Sequence, residues 1–377
     1  MAQLTPPGRP DAAVAGLPSA PRILLVRLRE IGDVVFTTPT LGALRQRFPG
    51  AHITYLVEPL ATAVVSTSRH IDELMVAPRA HLWSDVRLGL GLRARRFDVA
   101  IDFHGGPRAS LLTWLSGAPI RIGYDVPGRG WMYTTRIARP REWRPRHAVV
   151  NQWDLVAPLG LPAADADLFP VDMPVDARAA TVLASRLEAA GLGDEHRIVL
   201  VHVSAGNPFR RWPQTSFADM AATLAAGHDD VRVLVMSGPS ERDAAARVID
   251  LARERLPIAV GHRVLSIGEL SLAEVRALCN LAALFVGGDS GPLHIAATSA
   301  VPIVCLFGPT LPVRSAPWRD RRLVTESVDG GALECRPCDQ RVCAPGDFRC
   351  LTRISPDAVV AAAERALAAS RRDARGG

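Results

Sequence analysis

The sequence predicts an α/β protein made of two doubly wound units, each a parallel sheet with helices on both faces. Three observations carry this expectation. Short β-branched and leucine-rich runs alternate with stretches of helical spacing, as in strand–helix–strand crossovers. The alternation runs twice, and 377 residues exceed what one core of ordinary size holds. Small and polar residues cluster after the strands of the second half, at the edge where such sheets bind ligands.

Residues 1–21 are rich in Pro, Ala and Gly and lack the basic start and continuous apolar core of a signal peptide, so they read as a loose tail. The first unit is expected over 22–168. Arg22–Leu28 (RILLVRL) reads as a buried first strand between Pro21 and the turn Arg29-Glu30-Ile31-Gly32-Asp33. Asp33–Phe48 has helical spacing as far as Pro49-Gly50. Further strands are expected at His52–Val57, Asp98–Phe103 and near Arg121–Tyr124. Pro162, Pro170 and Pro174, with several acids around them, mark a linker at 165–175.

The second unit, 175–377, repeats the pattern. Its strands are expected at Ile198–Val203, Val231–Met236, Leu265–Ile267, Leu284–Val286 and Pro302–Phe307. Helices at Phe217–Ala226, Glu241–Leu256, Leu272–Ala282 and Leu293–Ser299 fall between them. Two such units in tandem imply a ligand cleft between the carboxyl ends of their sheets.

Composition narrows the class. No apolar run approaches the roughly 18 residues of a membrane span, and a cytoplasmic protein with six reduced cysteines is expected. All 44 basic residues are arginine, which weakens any argument that a given Arg was selected over Lys for its geometry. The net charge of +6 favours acidic partners.

The stretch with most chemical content is GGDSGPLH, Gly287 to His294, between an apolar run and a small-residue helix. Its glycines let backbone N–H groups approach a ligand, and the helix entrance suits a phosphate. Helix capping by Asp289 or Ser290, with Pro292 near the first helical position, is the alternative. Sister loops at the same sheet edge, Ser204-Ala205-Gly206-Asn207, Ser237 to Glu241 and Gly308-Pro309-Thr310, favour a shared nucleotide site that includes Ser204. Arg210 or Arg211 can neutralise a diphosphate or simply form a basic turn. Glu241 can accept from ribose hydroxyls or sit in a helix's first turn. His294 is either a phosphate-side donor or a buried, satisfied histidine. In the first unit, Asp33 is a general base or a helix cap. The dinucleotide fingerprint GxGxxG is absent, which argues against a Rossmann oxidoreductase.

RILLVRLREIGDVVFTTPTLGALRQRFP, NPFRRWP and GGDSGPLHIAATSAVPIVCLFGPT together resemble glycosyltransferase family 9, the lipopolysaccharide heptosyltransferases. The resemblance implies a GT-B fold of two Rossmann-like domains around a cleft, acceptor-binding first and donor-binding second. It implies transfer of heptose from ADP-heptose to an anionic lipid A-core acceptor, with inversion and no metal. By the resemblance Asp33 is the catalytic base, Arg210 stands where the family has a phosphate-binding Lys, Glu241 lies near its ribose-binding Glu, and Asp289, Ser290, Gly291 and His294 match its donor motif. Pro292 departs from the pattern and removes one backbone donor. The alternatives are the same machinery with another sugar or acceptor, and a sugar-nucleotide-binding protein without transferase activity.

Two features stand apart. Cys335, Cys338, Cys343 and Cys350 have the ligand count of a structural zinc site, with free thiols or a disulfide as alternatives. Arg121 to His147 holds seven arginines with Trp131, Tyr133 and Trp143. Such a segment can grip an anionic lipid-linked acceptor at the inner membrane face, with Arg121 and, after an earlier strand, His104 as acceptor-side candidates. A plain solvated surface is the alternative, and the unpatterned spacing argues against nucleic acid.

Overall fold

A computed structural model describes residues 16–78, 82–139, 146–338 and 340–373. The tail expected over 1–21 therefore lies outside the described residues up to residue 15, as do Arg141, Trp143 and Arg144. The chain divides into two compact units, Met1–Met173 and Pro174–Gly377.

In the first unit β1 (Arg22–Val26), β2 (His52–Val57), β3 (Glu73–Val76), β4 (Val99–Asp102), β5 (Ile120–Asp125) and β6 (Thr135–Ala138) form one sheet, ordered β3-β2-β1-β4-β5-β6. In the second unit the strands are β7 (Arg197–His202), β8 (Val231–Met236), β9 (Val264–Leu265), β10 (Leu284–Gly288), β11 (Ile303–Phe307) and β12 (Thr325–Asp329). They are ordered β12-β11-β10-β7-β8-β9. All pairings are parallel. Counted from its own first strand, each sheet has the order 3-2-1-4-5-6 of dinucleotide-binding folds. The winding reverses between β1 and β4 and between β7 and β10. Loops after those four strands therefore diverge and leave a crevice at each sheet's carboxyl edge.

The central strands are apolar on both faces, as helix-covered parallel sheets require: Ile23, Leu24, Leu25 and Val26 are wholly buried in β1, and Leu284, Phe285 and Val286 in β10. The edge strands β3, β6 and β12 carry no such run. β12 alternates exposed and half-buried residues, which suits an edge and leaves little sequence signal.

The single helix expected over Asp33–Phe48 is two, Ile31–Val35 and Thr38–Arg47. Pro39 cannot donate to the carbonyl of Val35 and its ring crowds that group, so the first helix stops. The Thr37 and Thr38 hydroxyls take over, each donating at 2.7 Å to the carbonyls of Val34 and Val35.

A helix absent from the sequence reading, Pro356–Asp373, packs Val359, Ala362, Ala363, Ala366 and Leu367 into the second core. Trp212 ties this end of the chain to the segment after β7: its ring lies edge-on to Phe217 at 4.8 Å and its Nε1 donates to Ile354 O at 3.0 Å. Replacing this buried side chain leaves a large cavity and an unpaired carbonyl. Trp212→Ala should lower unfolding free energy by about 3–5 kcal/mol, read from the shift of the denaturant midpoint. An unchanged midpoint would contradict the anchoring.

Candidate active site

In the first unit the chain leaves β1 through Arg27–Glu30 and enters the helix Ile31–Val35 with Asp33 in its first turn. Asp33 does not cap that helix: Glu30 holds the N-cap position, and no side chain makes the cap bond. Its carboxylate pairs instead with Arg27, whose side chain is 11% exposed against 39% for Asp33. The cation is thus fixed in the fold while the carboxylate stays open to a ligand. Arg27 Nη1 also donates to Phe103 O at 2.5 Å, and His104 Nδ1 lies 3.1 Å from Arg29 O. These contacts join the loops after β1 and β4 at the switch point. From the distant helix Ala148–Trp153, buried Gln152 donates to the backbone carbonyl of Asp33 at 3.3 Å.

Asp102, wholly buried at the end of β4, shapes the loop that carries His104. It accepts from the N–H groups of His104 at 2.8 Å and Gly105 at 2.9 Å, and from the hydroxyls of Tyr133 at 2.6 Å and Ser110 at 3.3 Å. Burial pushes its carboxyl above the ordinary range, against the pull of these bonds. Burial, and then the charge of Arg27, push His104 below its usual value, which favours the neutral imidazole.

In the second unit the glycine-rich stretch forms the end of β10 and the start of the helix Gly291–Ala296. Asp289 is 2% exposed, far too buried to be a solvated cap. It accepts from Thr310 Oγ1 at 2.8 Å, pairs with Arg210 Nη1 at 3.1 Å and faces His294 Nε2 at 3.4 Å. Burial pushes its carboxyl up, but His294, Arg210 and Thr310 together outweigh this and hold it at about 2. His294 is itself buried and turned onto Asp289, so it supports the carboxylate from inside the fold. Ser290 occupies the N-cap position without a side-chain cap bond. Gly288 serves close packing: a Cβ there would stand 3.1 Å from Arg210 O, so any larger residue would have to push the Arg210 segment away from β10 by a few tenths of an ångström.

Arg210 Nε donates to Gln340 Oε1 at 2.6 Å, and among the described residues its Nη2 makes no hydrogen bond. Arg211 pairs with Glu241, which is thereby held at the start of the helix after β8. Ser204 joins three loops, accepting from Gly238 N at 2.9 Å and lying 3.1 Å from His202 Nε2, whose Nδ1 is 3.4 Å from Ser290 Oγ. The loops after β7, β8, β10 and β11 thus form one polar cluster, as doubly wound geometry requires of loops at one sheet edge.

Several expectations are corrected. Arg121 lies near the start of β5, the edge opposite the site loops, and its guanidinium donates to Met132 O at 2.7 Å and Ala118 O at 2.6 Å. It holds a turn together and is not placed to bind an acceptor. Tyr133 is buried on Asp102 and takes no part in an aromatic surface. Trp131 does, 57% exposed and edge-on to Trp114 at 5.6 Å. Cys335, Cys338, Cys343 and Cys350 are free, half-buried thiols. Burial and the other three sulfurs push Cys350 up. Among the described residues no three His, Cys, Asp or Glu side chains are arranged to hold a metal ion.

Arg27, Asp102, His202 and Gln340 are the residues the sequence did not single out, whereas Thr310 stands in a loop it did. The first three stand in or just after strands whose carboxyl ends carry the site. Nothing local distinguishes Gln340.

The chain matches the family model for glycosyltransferase family 9 (heptosyltransferase) over residues 86–347. It is similar to lipopolysaccharide heptosyltransferase 3 of Escherichia coli, 24% identical over 326 residues that make up 83% of this chain and 91% of the relative. Among solved structures, the E. coli ADP-heptose LPS heptosyltransferase II aligns with TM-score 0.73 and 20% identity, covering 92% of this chain and 98% of that one. E. coli heptosyltransferase WaaC with ADP gives TM-score 0.67 and 19% identity, covering 92% and 99%. These likenesses bear out the α/β, GT-B fold class with two Rossmann-like sheets.

His202 gives a pH test of the polar cluster. Burial lowers it from 6.5 to about 4. Above pH 6.5 both folded and unfolded chains hold it neutral. Between 6.5 and 4 the unfolded chain binds a proton that the folded one excludes, so stability falls as pH falls through this window. The loss at pH 5 relative to pH 7 should be on the order of 2 kcal/mol. Melting of His202→Gln should show a markedly smaller drop between pH 7 and 5, and an identical drop would contradict the buried neutral histidine.

Proposed function

Because the chain belongs to glycosyltransferase family 9, and so is an enzyme of the glycosyltransferase class, we propose that it moves a heptose from ADP-heptose to the lipopolysaccharide inner core. The observation that carries the donor half is Arg210. Its guanidinium is fixed through Nη1 by buried Asp289, which stands just before the entrance of the helix Gly291–Ala296, and among the described residues its Nη2 makes no hydrogen bond. The first N–H groups of that helix have no intrahelical partner. A fixed cation and unsatisfied backbone donors suit a diphosphate. The helix has only six residues, so its dipole adds little and direct hydrogen bonds must do the binding. Support for ADP comes from the relatives: the WaaC structure contains ADP, and heptosyltransferase II is named for ADP-heptose.

The reaction uses few groups. The acceptor hydroxyl gives its proton to Asp33 while its oxygen attacks the anomeric carbon on the face opposite the diphosphate. The bond from that carbon to the diphosphate oxygen breaks, configuration inverts, and the electron pair leaves on ADP. Charge on the departing diphosphate is met by Arg210 and by the N–H groups of Ser290 and Gly291. No general acid is needed, in contrast to glycoside hydrolysis, and no metal takes part in the step. Arg27 and Gln152 orient Asp33. Glu241, pinned by Arg211, is offered to the ribose, and Ser204 holds the loops that meet the nucleotide.

His104 beside Arg29 is the acceptor-side candidate that the geometry supports. Exposed Trp131 and Arg139 suit an anionic, lipid-linked acceptor. No helix among the described residues is long and apolar enough to cross a membrane. We place the enzyme in the cytoplasm, acting peripherally at the inner membrane.

Asp33→Asn should cut transfer by about 10²- to 10⁴-fold, scored with a panel of nucleotide sugars against deacylated core oligosaccharides, while ADP affinity stays within about twofold of wild type. Retained turnover would remove Asp33 as the base, and a different preferred nucleotide sugar would replace the donor. Metal analysis addresses the cysteines: stoichiometric zinc in purified protein would require the loop to adopt another arrangement.

A further inference from the structure

The four-cysteine stretch reaches the donor cluster at two points. At its base, Arg336 donates from Nη2 to Thr310 O at 2.8 Å and from Nε to the same oxygen at 3.2 Å, and its Nη1 pairs with Asp329 at 2.9 Å. Thr310 in turn donates through its hydroxyl to Asp289 at 2.8 Å. Further along, Gln340 Oε1 accepts from Arg210 Nε at 2.6 Å and from Asn207 Nδ2 at 3.2 Å. Phe348 then packs on Phe209, with ring centroids 5.3 Å apart. The loop therefore covers Asn207–Arg210 from its own side, while β10 backs the same segment through Gly288.

Gln340 has φ of +59°, a left-handed conformation that residues with a side chain rarely adopt. That conformation turns a half-buried amide onto the guanidinium. Two acceptors then fix Arg210 from two directions, Gln340 at Nε and Asp289 at Nη1, and a planar guanidinium held at two of its nitrogens has its third direction set.

We propose that Gln340 is a positioning residue of the donor site, acting through Arg210. Its amide oxygen aims Arg210 Nη2 at the diphosphate, and the four-cysteine loop is the element that delivers it. The inference rests on the donor reading above, and its substrate group is the diphosphate of a nucleoside diphosphate. Gln340 touches no reacting atom, so it governs donor affinity and leaves acceptor binding alone. An Ala at this position frees Arg210 Nε and lets the guanidinium rotate. A neutral acceptor cannot be replaced by a carboxylate without penalty, because a second negative charge beside Asp289 would compete with the diphosphate for the same cation.

The test is a double-mutant cycle on ADP binding by calorimetry, using the full chain as wild type, Gln340→Ala, Arg210→Ala and both together, each with its melting temperature. Gln340→Ala should weaken ADP binding by roughly tenfold, as expected for an uncharged partner lost from a charged group, and should raise the donor KM with little change in acceptor KM. In the Arg210→Ala background the same change should cost nothing further. Additive losses would mean that Gln340 only holds the loop, and undiminished binding by Gln340→Ala would mean it does not position Arg210. Either overturns the proposal while leaving the donor reading intact. A wild type that fails to bind ADP overturns the donor reading and this proposal with it.

Discussion

The second unit depends on a carboxylate held in its interior. Asp289, at the carboxyl end of a central strand, is almost completely removed from water yet stays ionised. A buried charge of this kind is tolerable only when its partners are all in place. Those partners come from different parts of the chain: Arg210 from the loop after β7, His294 from the helix after β10 and Thr310 from the loop after β11. Satisfying one charge therefore assembles the loops, and assembling the loops fixes the cation that we assign to the diphosphate. Stability and function meet in the same contacts, since a partner removed to test binding also leaves the carboxylate less compensated.

The first unit applies the same construction with the signs distributed differently. There the buried acid, Asp102, is satisfied mainly by neutral donors and shapes a loop, while the cation Arg27 faces the half-open Asp33. In both units the side chain nearest the proposed chemistry is the more exposed member of an ion pair whose other member is fixed. A fixed partner limits the orientations of the working group without closing it to a ligand, which is the geometric requirement for a base or an anion-binding cation.

Much of this was legible in the sequence because the two signals involved are local. Central parallel strands are continuous apolar runs, and β2 and β8 fall at His52–Val57 and Val231–Met236 as their residues predict. The glycine-rich stretch and Asp33 stand directly after such runs, so their positions at the carboxyl edges followed from strand assignment alone. What stayed hidden depends on contacts across the sequence. The polar edge strands gave no period to read, and Pro39 was a break inside a helical pattern whose apolar spacing continued past it. Arg121 looked like part of a basic surface because it opens a segment with seven arginines, although the strand expected near Arg121–Tyr124 already put it at the amino end. His294 and Asp289 were found as a motif, but their mutual contact, which makes one the support of the other, is a property of the folded turn. Gln340 is 130 residues from Arg210 and carries no motif.

The claim on which the account turns is that a nucleoside diphosphate lies between Arg210 and the entrance of the Gly291–Ala296 helix. A crystal structure of the protein with ADP tests it most directly. The account predicts phosphate oxygens within hydrogen-bond distance of Arg210 Nη2 and of the backbone N–H groups of Ser290 and Gly291, with the Asp289–Arg210 pair intact. ADP bound elsewhere, or bound with Arg210 turned away from its phosphates, would contradict it.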